Sequence, residues 1–106
     1  MVMDKTTLRA LRGSITKWKK IARCLIPDKG VDNCPLCHVF YANKPACNGC
    51  PVAVYTGLPE CQRTPYKDWR EEAATGGAWA KTALQRKLAR KERDFLIALL
   101  PANEKP

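Results

Sequence analysis

Five of the six cysteines lie within residues 34–61, and this segment constrains the fold more than any other part of the 106-residue chain. Cys34 and Cys37 form one C-x-x-C pair, Cys47 and Cys50 form a second, and Cys61 follows after ten intervening residues. A C-x-x-C loop lets two sulfurs reach one metal ion at about 2.3 Å while the backbone turns beneath them. The spacing therefore predicts a metal site.

The expected compartment decides between a metal and disulfide bonds. The N-terminal residues lack the apolar stretch and cleavage site of a signal peptide. No apolar run approaches the roughly 18 residues of a membrane span. We therefore expect a cytoplasmic protein, in which thiols stay reduced and spaced Cys pairs favour metal binding.

The chain offers more thiols than one tetrahedral ion needs. We predict that four of five cysteines bind the metal, the five being Cys34, Cys37, Cys47, Cys50 and Cys61. His38, the only histidine, is a weaker candidate, and its simpler interpretation is a partly exposed loop side chain. Cys24 is distant in sequence and is expected to be a bystander.

Zinc is the expected metal, and an iron–sulfur cluster is the alternative. A structural zinc site contributes on the order of 10 kcal/mol to folding, enough to order a loop-rich segment. Iron–sulfur clusters are also held by Cys thiolates, often with proline after a ligand. Both Cys34 and Cys50 precede proline, so the second hypothesis stays open.

Residues 33–57 resemble the treble-clef and zinc-ribbon class of zinc fingers. Three features carry this resemblance: a knuckle at the first pair, a short hairpin over residues 38–46, and a second pair that leads into a helix at Pro51. The nine-residue linker is short for the class. The pattern CPLC, CNGCPV, TG, C and TPY over residues 34–66 also resembles small cysteine-rich proteins of bacteriophages and prophages. That second resemblance implies a phage-encoded protein acting in the host cytoplasm.

The net charge of +9 is concentrated at the two ends of the chain. Residues 1–24 carry seven Lys or Arg and one acid, residues 25–61 carry two and three, and residues 62–106 carry ten and six. Two basic arms around a nearly neutral cysteine region favour a polyanionic partner.

Apolar periodicity predicts a small, mainly α fold of one domain, residues 1–106, with helices packed around a Cys-rich metal-binding knuckle and at most a short β-hairpin. The predicted segments are a basic amphipathic helix over 4–26, the cysteine region over 28–64, a helix over 65–75 and a C-terminal helix over 78–100.

Local signals set the bounds of these helices. Asp4 or Thr6 is expected to cap the first helix and Pro27 to end it. Its buried face is predicted to contain Leu8, Leu11, Ile15, Trp18, Ala22 and Leu25. That of the last helix is predicted to contain Leu84, Leu88, Phe95 and Leu99.

Basic residues at helical spacing suggest phosphate contacts on the first and last helices. The candidates are Arg9, Arg12, Lys19, Lys20, Arg23, Arg86, Arg90 and Arg93. Neutralising phosphates with such residues releases counterions and gives strongly salt-dependent binding. Trp18, Trp69, Trp79 and Tyr66 are further candidates for base stacking, although Trp18 fits the core better.

These features favour a metal-stabilised nucleic-acid-binding module. The alternatives are a protein-binding adaptor or inhibitor of host transcription, replication or defence machinery, which would bind an acidic or nucleic-acid-associated protein, and an iron–sulfur redox sensor. No phosphate-binding loop, serine-hydrolase elbow or zinc-protease motif is present. We expect neither catalysis, nor a small-molecule substrate, nor a membrane partner.

Overall fold

A computed structural model of the chain describes residues 3–43, 46–58, 61–73 and 79–105. These residues form five α-helices: α1 at Lys5–Ala22, α2 at Pro35–Phe40, α3 at Pro51–Thr56, α4 at Pro65–Ala73 and α5 at Ala83–Ala98. Short 3-10 turns lie at Gly30–Asn33 and Ala102–Glu104. The prediction of a small, mainly α fold is confirmed.

The described ranges contain no strand, and the hairpin expected over residues 38–46 is wrong. The first half of that stretch continues α2 as far as Phe40, since Tyr41 donates its N–H to Cys37 O at 2.9 Å. Lys44 and Pro45, at the expected turn, lie outside the described residues.

Helix α1 begins as predicted and ends earlier. The Asp4 side chain accepts the Thr7 N–H at 2.7 Å, which caps the N-terminus. At the other end, Leu25 N–H donates to Lys20 O and Cys24 N–H donates to Ile21 O. This is the Schellman pattern, with Cys24 in the left-handed conformation at φ 57. The helix therefore stops at Ala22 rather than near Pro27, and Leu25 is exposed.

Helix α1 is the centre of the packing and contacts both α2 and α5, while α4 also contacts α5. Trp18 of α1 and Trp69 of α4 are buried and meet edge to face, with ring centroids 5.4 Å apart. Leu11 and Ile21 are fully buried on the same helix. The predicted apolar face of α1 is thus confirmed over its helical residues, with Leu8 half-buried at its edge.

Helix α5 begins at Ala83, where Thr82 and Gln85 form a capping box. Residue 78, the predicted start, lies outside the described residues, but residues 79–82 are not helical. The predicted buried face is also rotated. Leu88 is buried as expected, whereas Leu84 is exposed and Phe95 and Leu99 are half-buried. The buried positions are Gln85, Leu88, Ala89, Glu92 and Leu96.

Both short helices of the second half start at the prolines that predicted them. Pro51 begins α3, and Gly57 ends it in the left-handed conformation at φ 74. Pro65 begins α4, where the Thr64 hydroxyl accepts the Tyr66 N–H at 3.2 Å. The expected end of α4, at Gly76 and Gly77, lies outside the described residues.

Candidate metal centre

Helix α1 positions the first cysteine pair through close contact with the start of α2. A Cβ atom on Gly13 would lie 3.0 Å from Pro35 Cγ, so glycine permits this approach. The Ser14 hydroxyl accepts the Leu36 N–H at 3.3 Å. Cys34 precedes α2, and its Sγ accepts the Cys37 N–H at 3.3 Å.

The second pair folds back onto α2. Cys47 donates its N–H to Phe40 O at 3.1 Å, and Cys50 donates its N–H to Cys47 O at 2.9 Å. Both side chains are buried. Cys50 is the N-cap of α3, so backbone hydrogen bonds connect the second pair both to α2 and to the start of α3.

Cys61 joins the two pairs from a turn that precedes α4. Its carbonyl accepts the Thr64 hydroxyl at 2.6 Å. Cys61 and Cys47 both have left-handed backbone conformations, with φ 60 and φ 64. This conformation costs a non-glycine residue about 1–3 kcal/mol and is concentrated at functional sites.

Four of the five thiols line one cavity of about 520 Å³ between the helices. These are Cys34, Cys37, Cys47 and Cys61. The rest of the wall is Lys17, Trp18, Gly30, Tyr41, Tyr66, Arg70 and Glu92. Cys50 is not part of the wall; burial, with smaller contributions from the charges of Cys47 and Cys34, raises its pKa.

The four thiols line the same cavity, but they do not converge on one position. Within residues 3–43, 46–58, 61–73 and 79–105, no three or more His, Cys, Asp or Glu side chains have an arrangement that would bind a metal ion as they stand. Electrostatic coupling nevertheless connects them, because the charges of Cys34, Cys50 and Cys47 all contribute to raising the pKa of Cys61, after burial and Glu92.

The first pair has the electrostatics of one thiolate and one thiol. Hydrogen bonds from the Cys37 side chain and N–H and from the Ser14 hydroxyl, together with the positive charge of Lys17, lower the pKa of Cys34 to about 6, against the effect of burial. Donating to Cys34, and burial, raise the pKa of Cys37 well above its usual value. Metal ions bind the thiolate form, so Cys34 is prepared for coordination near neutral pH.

Two charged side chains of this centre were not predicted from the sequence. Glu92 of α5 is buried, and its Oε1 atom has no hydrogen-bond partner among the described residues. Burial and the nearby Cys34 raise the pKa of Glu92 to about 8, although Lys17 acts in the opposite direction. Lys17 of α1 is buried and its Nζ lies 2.8 Å from Asp28 Oδ1. The sequence signal that could have identified both residues is a polar side chain on a helix face that is otherwise apolar.

The two remaining candidate ligands lie elsewhere. His38 is exposed, and its Nε2 atom lies 3.0 Å from the carbonyl oxygen of Asp32. Cys24 is exposed at the end of α1. Neither residue is in the cavity wall.

The predicted phosphate contacts separate into two groups on different helices. Arg9, Arg12, Lys19, Lys20 and Arg23 are exposed on or just after α1. Arg12 pairs with Glu104. On α5, Arg90 is exposed, Arg93 pairs with Asp94, and Arg86 donates to the carbonyls of Ala80 and Lys81. Because the buried sides of α1 and α5 pack together, we treat their charged sides as separate surfaces.

Most of the aromatic side chains suggested for base stacking are buried or half-buried. Trp18 is buried in the core, as its place on the apolar face of α1 indicated, and the suggested stacking of Trp69 on bases is wrong because Trp69 is buried too. Tyr66 is half-buried with its ring edge to face with Trp18, at a centroid distance of 5.6 Å. Trp79 is exposed.

No protein-family model, no curated protein and no solved structure matches this chain. None of the helices in the described part of the chain is both long and apolar enough to span a bilayer.

Proposed function

We propose that this protein is a metal-stabilised module that binds the phosphate backbone of nucleic acid through α1. The observation that carries this proposal is the charge pattern of that helix. Lys5, Arg9, Arg12, Lys19, Lys20 and Arg23 are all exposed. At about 100° per residue they share one side of the helix, opposite Leu11 and Trp18.

No acid interrupts this basic face, because residues 5–23 contain no Asp or Glu. Among the residues that the structure describes, Arg12 is the member of this face that pairs with an acid, Glu104. A row of cations on a rigid helix neutralises successive phosphates, and such contacts position a protein without reading sequence. We therefore expect binding that depends strongly on salt and weakly on sequence.

The metal would fix the scaffold that supports this helix. The first cysteine pair contacts α1 directly, since Pro35 lies against Gly13 and Leu36 bonds to Ser14. A metal that orders the segments carrying the cysteines would therefore also order the face of α1 that packs against them. Coordination bonds would offset the left-handed backbone cost at Cys47 and Cys61. Zinc and an iron–sulfur cluster both fit this role.

The test is charge reversal of three residues on the basic face, Lys19, Lys20 and Arg23, all to Glu. Because the three side chains are exposed, the variant is expected to fold normally. Its affinity for a duplex or a single strand at low salt should fall at least tenfold. For the unmodified protein, log affinity should fall linearly with log salt concentration. Fluorescence anisotropy with labelled oligonucleotides measures both quantities.

A matched control separates this face from net charge alone. Lys81, Lys87 and Lys91 are also exposed and lie on or before α5. Changing them to Glu alters the net charge by the same amount, yet should weaken binding much less. Equal loss in the two triple variants would contradict the assignment to α1.

A protein partner is the second candidate, and α3 carries the observation that favours it. Val54 and Tyr55 are exposed there, and Tyr55 meets Phe95 edge to face at a centroid distance of 5.7 Å. An apolar patch of this kind suits an adaptor or inhibitor. Absence of nucleic-acid binding at low salt would favour this function over the first.

A further inference from the structure

We propose that the cavity holds an iron–sulfur cluster rather than a single zinc ion, with Cys34, Cys37, Cys47 and Cys61 as its ligands. This inference rests on the metal centre of the proposed function and deepens it. The two C-x-x-C pairs alone would have suggested a different set, with Cys50 in place of Cys61.

The wall of the cavity selects the ligands. Cys61 faces the cavity from the turn before α4, while Cys50 is buried at the start of α3 and does not line it. The four lining thiols come from three separate segments: the N-terminus of α2, with Cys34 and Cys37, the turn at Cys47 and the turn at Cys61. Four thiolates are the number that both common types of cluster use.

The arrangement of the thiols favours a group larger than one ion. Four sulfurs around a zinc ion, each at about 2.3 Å, lie about 3.8 Å from one another. Within the described residues, the thiols line the cavity without converging on one point in this way. A cluster holds its thiolates farther apart, because they bind different irons.

Two cationic side chains line the site of a cluster that would carry net negative charge. These are the guanidinium of Arg70 and the ammonium of Lys17, which already pairs with Asp28, and Glu92 is the acidic side chain of the described wall. Lys17 is buried and is held in place by Asp28, so its position is fixed before any group binds.

Glu92 is the independent sign that something fills this space. Its side chain is 3% exposed, it lines the cavity, and its Oε1 atom has no partner among the described residues. A buried oxygen without a partner costs free energy, and native proteins rarely leave one unexplained. A group in the cavity would lie against this oxygen.

The test measures iron, acid-labile sulfide and zinc in protein purified without oxygen from cells supplied with iron and zinc. We expect equal amounts of iron and sulfide with a broad visible absorption. The Cys61→Ala variant should lose most of its iron, whereas Cys50→Ala should keep it. Cys24→Ala is the matched control, because Cys24 is exposed and outside the wall.

Several results would overturn the inference. A colourless protein with zinc and no sulfide would exclude the cluster. Loss of iron from Cys50→Ala with normal helical circular dichroism would exclude the proposed ligand set, as would retention of iron in Cys61→Ala. If Cys61→Ala does not fold, Cys50→Ala decides alone, since full iron content supports the set and loss contradicts it.

Nucleic-acid binding by the same preparations distinguishes the two proposals. A zinc protein that binds oligonucleotides with steep salt dependence would overturn the cluster and leave the proposed function intact. An iron–sulfur protein that does not bind them would support the cluster and contradict the nucleic-acid function.

Discussion

Asp28 is the residue whose contacts connect the most parts of this protein. One carboxyl oxygen pairs with Lys17 of α1 at 2.8 Å and accepts the Gly30 N–H at 2.9 Å. The other accepts the indole N–H of Trp69, from α4, at 3.0 Å. Because Lys17 and Asp28 are both buried, neither charge has water to replace its partner. The carboxylate therefore joins two helices and the loop beside the cysteine cavity.

We predict that Asp28→Asn lowers the free energy of unfolding by about 3–5 kcal/mol, because it leaves Lys17 as an uncompensated buried charge. Urea denaturation at neutral pH measures the change. Asp32→Asn is the matched control, since Asp32 is exposed in the same loop. It should change stability by less than about 0.5 kcal/mol. Equal effects of the two substitutions would contradict this role for Asp28.

The difference in stability between the wild type and Asp28→Asn is also expected to depend on pH. Burial alone would raise the pKa of Asp28, but Lys17 and the hydrogen bonds from Lys17, Gly30 and Trp69 together hold it below its usual value. Its stabilising contribution is therefore present above the unfolded pKa of about 3.9 and is lost as pH falls through the lower folded pKa. The difference between the wild type and Asp28→Asn should thus shrink only in acid.

At the scale of elements, the contact between α1 and the start of α2 determines where the first cysteine pair lies. Glycine inside a helix costs about 1 kcal/mol relative to alanine, so Gly13 needs a compensating reason. The close contact with Pro35 explains the glycine, because a Cβ at position 13 would lie 3.0 Å from Pro35 Cγ and 3.2 Å from Pro35 Cβ.

We predict that Gly13→Ala fails to give the stability that helix propensity alone would add. The new methyl group pushes α2 away, at an overpacking cost of about 1–3 kcal/mol, and shifts Cys34 with it. Urea denaturation and metal content measure the two effects. Thr16→Ala is the control, because Thr16 is exposed on the same helix and should gain about 0.5 kcal/mol. A Gly13→Ala variant that is as stabilised as the control would contradict the contact.

The starts of α1, α3 and α4 were predictable because their signals are local, whereas α5 begins at Ala83 rather than at the predicted residue 78. Asp4, Pro51 and Pro65 act within a few residues of their own position, and each begins a helix as expected. The end of α1 was not predictable, since it depends on Cys24 adopting a left-handed conformation that L-residues rarely use.

The buried face of α5 required tertiary information. Gln85 is buried because it completes the capping box with Thr82, and Glu92 is buried because it faces the cysteine cavity. Periodicity counts apolar residues only, so it assigned Leu84 to the core, and that side chain is exposed.

At the scale of the whole molecule, the sequence left open which four of the five cysteines form one site. C-x-x-C spacing alone indicated two ligand pairs. Cys61 lines the cavity and Cys50 does not, and the spacing of the cysteines alone does not predict this difference. Lys17 and Glu92 reach the same cavity from α1 and α5, which are distant in sequence.

Helix α1 connects the cysteine cavity with the basic face. One side of α1 carries the contacts to α2 and the cavity, and the opposite side carries the exposed cations. A metal group that orders the cysteine turns would therefore stabilise the helix that we propose for phosphate binding. Loss of the metal should weaken both folding and binding.

The most direct test of this account compares unfolding of the metal-loaded protein with that of the reduced, metal-stripped protein, both without oxygen. We predict that stripping lowers the free energy of unfolding by on the order of 10 kcal/mol, which leaves residues 34–61 without stable structure. Urea denaturation followed by circular dichroism gives the comparison for either metal. Identical unfolding of the two forms would show that the cysteine cavity is not a structural metal centre.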